Sequence, residues 1–135
     1  MAHKLDIPNW QIKYEIGIPD VDFQHQYFLE LIKRFCEKIN EGITDELIVD
    51  HLNEIVLYAQ FHFCSEENLM KLHDYPGFVS HCKLHIDIIQ ELSDKINLYE
   101  IKELSLEELT SYLLEWFLDH TVKKDINFAQ YLNKV

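Results

Sequence analysis

A chain of 135 residues, 47% hydrophobic and 13% aromatic, suits one domain with a single core, because burial on that scale offsets the entropy of ordering the chain. Its formal net charge of −12, with no cluster of Lys or Arg able to track a phosphate backbone, argues against nucleic acid and anionic membrane surfaces as partners. No apolar run approaches the ~20 residues of a membrane span, and Met1–Trp10 lacks a signal-peptide core, so a cytoplasmic protein without membrane insertion is expected.

Residues 1–18 read as an irregular N-terminal arm whose Trp10, Ile12, Ile16 and Ile18 can lie across a core. Pro19 with Asp20 and Asp22 supplies helix-start chemistry, and His25, Phe28, Ile32, Phe35 and Ile39 then form one helical stripe that Gly42 ends. Thr44 opens a second helix with the stripe Ile48, Leu52, Ile55, Ala59, His62, Glu66, Leu69, His73, and the run Asp74-Tyr75-Pro76-Gly77 breaks it. The third stripe is Phe78, His81, His85, Ile88, Leu92, Ile96, Tyr99. Ser105 and Glu108 have capping-box spacing and open a fourth helix carrying Leu106, Leu109, Leu113, Trp116 and His120, then Asp125, Phe128 and Leu132. The pattern predicts an all-α, up-down-up-down antiparallel four-helix bundle over residues 19–135, preceded by the arm at 1–18. Cys36, Cys64 and Cys82 form no CxxC pair and are expected to be buried, reduced thiols.

Histidine and glutamate do not belong on core stripes unless something pairs them, since an unpartnered buried carboxylate costs several kcal/mol. The intrusions are His25, then His62 and Glu66, then His81 and His85, and finally His120, so that every helix contributes. His62/Glu66 and His81/His85 are i,i+4 pairs, side by side on one helix face and about 6 Å apart along the axis. A metal site inside the bundle accounts for all of them, and a polar core network is the competing arrangement. His51 and His73 each stand about 16 Å along the axis from His62, too far to join the same centre, and His3 sits in the arm. Asp125 follows His120 by five residues, about 140° around a regular helix. Either a π-bulge near Val122–Lys124 brings it inward, or the helix is regular and Asp125 reaches in from the adjacent stripe.

The order H…HxxxE…HxxxH…HxxxxD resembles the hemerythrin family, in particular its single-domain bacterial members. The resemblance covers nearly the whole chain and includes Ile18-x-x-Val21-Asp22-x-x-His25, His62-Phe63-x-x-Glu66-Glu67-x-x-Met70, Tyr75-Pro76 and Trp116-x-x-x-His120-x-x-x-x-Asp125. It implies two iron ions. His81, His85 and His120 would hold one, His25 and His62 the other, with Glu66, Asp125 and an oxo or hydroxo group bridging them. The first iron would then be six-coordinate and the second five-coordinate, which leaves one open position suited to reversible dioxygen binding. Spacing alone would also admit zinc or manganese. Phe28, Ile32, Trp116, Phe117 and Val122 are the candidate lining of the dioxygen pocket, and Phe117 and Thr121 stand where the family commonly has Leu and Ile. The expected role is dioxygen transport, storage or delivery to an acceptor protein the sequence does not identify, without catalysis. The alternatives are an oxygen, redox or iron sensor acting through a partner, and a di-iron enzyme acting on peroxide or nitrogen oxides.

Overall fold

The computed structural model describes residues 7–133, and at residues 120–122 the backbone alone. The described residues contain helices and no strand. Three long helices, α1 (Pro19–Glu41), α2 (Asp45–Leu72) and α3 (Phe78–Glu100), are followed by α4 (Leu106–Trp116), a π-helical segment (Phe117–Val122) and α5 (Lys123–Asn133). α4, the π segment and α5 form one continuous fourth rod. Helix α1 packs on α2 and on α4, and α3 packs on α2 and on α4, which closes a four-helix bundle.

The helix ends follow local chemistry. Asp22 turns back from the first coil of α1 to accept from the backbone N–H groups of Ile16 (2.8 Å) and Gly17 (3.1 Å), fixing the entry of the arm. Gly42 ends α1 in the left-handed region (φ 87°), where a side chain would be strained. Thr44 Oγ1 accepts from Leu47 N at the start of α2. Ser105 Oγ accepts from Glu108 N (3.1 Å), and its hydroxyl donates to the Glu108 carboxylate rather than leaving that carboxylate to the Ser105 backbone, as a reciprocal capping box would have it.

The core runs along the predicted stripes with two shifts. Toward the end of α2 the buried position passes from Leu69 to Met70, and His73 is exposed. The thiols depart from expectation: Cys36 is buried, but Cys64 is exposed and Cys82 half-buried. The inward face of α2 here is set by His62, Phe63 and Glu66, so position 64 is rotated outward. In the arm, Ile7, Tyr14 and Ile16 are buried, and Lys33 Nζ donates to Asn9 Oδ1, which ties the arm to α1. Tyr14 sits at the end of a 3-10 turn (Ile12–Tyr14), edge-on to Phe117 with ring centroids 6.3 Å apart.

The π segment decides between the two geometries open for Asp125. The fourth rod is not a regular α-helix. The extra residue is taken up over Phe117–Val122, a few residues before the Val122–Lys124 position expected from the stripe. With the offset absorbed, Trp116 and its neighbour Phe117 both reach the core, and Asp125, Phe128 and Ala129 are buried on the far side.

Candidate metal centre

Six side chains from four elements converge within the bundle. α1 supplies His25, α2 His62 and Glu66, α3 His81 and His85, and α5 Asp125. All six are buried, from 0% exposed for His25 and Glu66 to 8% for His81, so bulk solvent does little to screen their charges. Two groups have ligand atoms mutually close enough for one cation: His25, His62, Glu66 and Asp125, and Glu66, His81, His85 and Asp125. The same two carboxylates belong to both groups. The side chain of the seventh predicted ligand, His120, lies outside the described residues.

The hydrogen bonds around the imidazoles settle which nitrogen faces inward. His62 Nδ1 donates to Gln24 Oε1 (2.7 Å), and the Gln24 amide is oriented by its Nε2 donating to Ser65 Oγ (3.0 Å). His85 Nδ1 donates to Glu67 Oε2 (2.8 Å), an acceptor with no proton to give. Both rings therefore turn Nε2 toward the interior, and on His62, which is neutral, that nitrogen is bare. There His85 Nε2 lies 3.1 Å from Glu66 Oε1, and His62 Nε2 lies 3.1 Å from His25 Nε2 and 3.6 Å from Glu66 Oε2. Glu66 Oε2 and His25 Nδ1 have no hydrogen-bond partner among the described residues. His25 Nε2 also lies 2.9 Å from Asp125 Oδ2, and a buried carboxylate oxygen lacking a donor is what a cation at the centre would satisfy. The donor set thus fits a metal.

Protonation follows the same geometry. Burial pulls His25 down to about 4 against the pull of Glu66 and Asp22. Burial, with His25 beside it, takes His62 to about 3. Both are neutral imidazoles at pH 7, the form a metal requires. Burial also opposes charge on His81, but its Nε2 lies 2.9 Å from Asp125 Oδ1 and 2.7 Å from Glu66 Oε1, and these contacts lift it to about 9. As an imidazolium it joins the two carboxylates, doing with one proton what a cation at the same nitrogen would do.

Of the predicted apolar lining, Phe28, Ile32, Trp116 and Phe117 are all buried, while the side chain of Val122 lies outside the described residues. Phe117 stands edge-on to His25 (centroids 6.0 Å) and parallel to Phe28 (6.1 Å), which in turn meets Trp116 (4.8 Å). This wall lies on the His25 side. It continues through Trp116 to Phe63 (centroids 6.0 Å), which stacks on His85 at 3.9 Å. His51 is engaged elsewhere, with Nδ1 bonded to Leu47 O, and His73 forms the exposed end of α2. His3 lies outside the described residues.

Sequence reasoning assigned no role to Gln24, Glu67 or Phe63. Each is adjacent in sequence to a predicted ligand: Gln24 precedes His25, and Phe63 and Glu67 follow His62 and Glu66 within the stretch that carries the family resemblance. Neighbours on a helix point about 100° apart, so adjacency alone did not reveal that they reach ligands on other helices.

The model of the hemerythrin HHE cation binding domain matches residues 16–132. A bacteriohemerythrin from Clostridium acetobutylicum is 27% identical over 125 residues, spanning 86% of this chain and 94% of the relative. One from Pseudomonas aeruginosa is 28% identical over 129 residues, 96% of this chain and 81% of the relative. One from Stenotrophomonas maltophilia is 26% identical over 120 residues, 89% and 78% respectively. With four helices delivering two overlapping groups of potential ligands, and the family model spanning all of them, this chain belongs to the hemerythrin HHE cation-binding domain family.

Proposed function

We propose that the chain binds dioxygen reversibly at a non-haem di-iron centre, for transport, storage or delivery. One iron would be held by His81, His85 and His120, the other by His25 and His62, with Glu66 and Asp125 shared between them. The observation that carries this reading is the sharing: the same two carboxylates complete both potential ligand groups, as a pair of ions rather than one requires. The names of the similar chains, bacteriohemerythrins, support it. Iron at these positions would supply the electrons that dioxygen takes up and returns, and an open position at which it binds.

The protein's own contribution is threefold. Gln24 and Glu67 hold His62 and His85 with Nε2 inward, so no tautomer change is needed for either to act as a ligand. Glu66 and Asp125 offset part of the cationic charge in a dry interior. Phe28, Trp116 and Phe117 exclude water and protons beside His25, where hydrolysis and irreversible oxidation would otherwise start.

The test is to load the protein with ferrous iron without oxygen, admit oxygen while recording the visible spectrum, and then purge with inert gas. A charge-transfer band that appears and reverses supports the proposal. Bleaching with release of peroxide, or a chain that retains zinc and refuses iron, would overturn it.

A further inference from the structure

The two halves of the site are supported unequally. His85 Nδ1 donates to a carboxylate, Glu67, at 2.8 Å, and His62 Nδ1 donates to a neutral amide, Gln24, at 2.7 Å. His25 Nδ1 has no partner among the described residues. A carboxylate behind an imidazole raises the ring's basicity far more than an amide does, because it stabilises the positive charge that a bound cation induces on the ring. Gln24 is held in place by Ser65 and by Tyr58, whose hydroxyl donates to the Gln24 carbonyl (2.7 Å). Glu67 by contrast is 29% exposed, and with Cys64, Lys71 and His85 it lines a groove of about 510 Å³ between α2 and α3.

We infer that Glu67 and Gln24 are positioning residues that widen the inequality between the two metal positions beyond what the additional imidazole of His120 would give, the carboxylate behind His85 strengthening the His81/His85 position for a divalent cation more than the amide behind His62 strengthens the His25/His62 position. The inference rests on the two-metal reading above and deepens it. Outer partners of this kind alter metal affinity by about 10–100-fold. The groove puts Glu67 within reach of solvent, so the tighter position is also the one whose support responds to surface charge.

The test uses cobalt(II) as the probe, titrated into metal-free full-length protein, with the visible spectrum of each bound ion as the readout. Wild type should fill in two resolved steps. Glu67→Gln keeps an acceptor of the same shape but no charge, and should weaken the first step about tenfold while leaving the second within twofold. Gln24→Glu is the reciprocal change and should strengthen the second step. Far-ultraviolet circular dichroism and thermal unfolding of each metal-free variant separate these effects from misfolding, and only variants with wild-type helicity are scored. If wild type binds two ions and Glu67→Gln shifts both steps equally or neither, the inference fails while the two-metal reading stands. If wild type binds no cobalt, the two-metal reading fails and the inference with it.

Discussion

Replacing Glu66 by Gln should change stability little without metal and lower it with metal. In the metal-free chain the substitution removes the charge from Oε1, which lies 2.7 Å from His81 Nε2, and so loses a charge-assisted hydrogen bond, about 1.5–3 kcal/mol. It also removes a buried carboxylate oxygen, Oε2, that has no donor among the described residues, which relieves about 1–3 kcal/mol. The two effects nearly cancel, so metal-free stability should move by no more than about 1–2 kcal/mol. With metal the outcome differs, because Glu66 belongs to both ligand groups. A hundredfold loss of affinity at fixed free metal removes about 2.7 kcal/mol of linked stabilisation, or roughly 10 °C for a chain of this size. Anaerobic calorimetric scans of both proteins, with chelator and with ferrous iron, measure the difference directly. A Glu66→Gln protein that keeps the full metal-dependent rise in Tm would refute the shared-carboxylate reading. A metal-free variant that no longer folds would refute the cancellation.

Phe117→Ala removes a fully buried ring that contacts Tyr14, Phe28 and His25, and should cost about 3–5 kcal/mol in chemical denaturation. In the iron-loaded protein it should also speed irreversible oxidation by admitting water; a variant as slow to oxidise as wild type would show that the wall is ordinary core. The metal-free protein should be most stable near pH 6.5. His25 and His62, at about 4 and about 3, lie below the unfolded value of 6.5, so the unfolded chain takes up protons first and stability is lost as pH falls from 6.5. His81, at about 9, lies above it, so its contribution is fully present below 6.5 and is lost as pH rises through 9. Urea titrations in chelator should show both limbs, and His81→Gln should lack the alkaline one. Stability that climbs steadily from pH 6.5 to 9 would contradict the assignment.

Much of this architecture was legible because different signals agreed. Stripes of 3–4 spacing located the helices, and Gly42, Thr44 and Ser105 marked their ends by local chemistry that acts the same way in any fold. Histidine and glutamate on those stripes stood out because burial forbids them without a partner, and the structure brings His25, His62, Glu66, His81, His85 and Asp125 together. The spacing from 120 to 125 showed that an extra residue had to be absorbed or tolerated, but where the helix widens depends on the packing of Trp116 and Phe117, which spacing does not encode. Gln24 and Glu67 were missed for a related reason. Their roles depend on which neighbouring helix faces them, a property of the assembled bundle rather than of any one segment. Cys64 was misjudged because its apolar neighbours belong to a face turned away from it.

The widened turn at Phe117–Val122 also bears on how the two ends of the fourth rod are aimed. A regular helix is a single screw, so a rotation that repacks one end carries the other end with it. Here the screw is interrupted between Leu109 and Leu113, which lie in the main core, and Asp125, which belongs to both potential ligand groups. The widened turn thus sets the phase between the two ends, letting Trp116 and Phe117 both face the core while Asp125 still bears on His25 and His81.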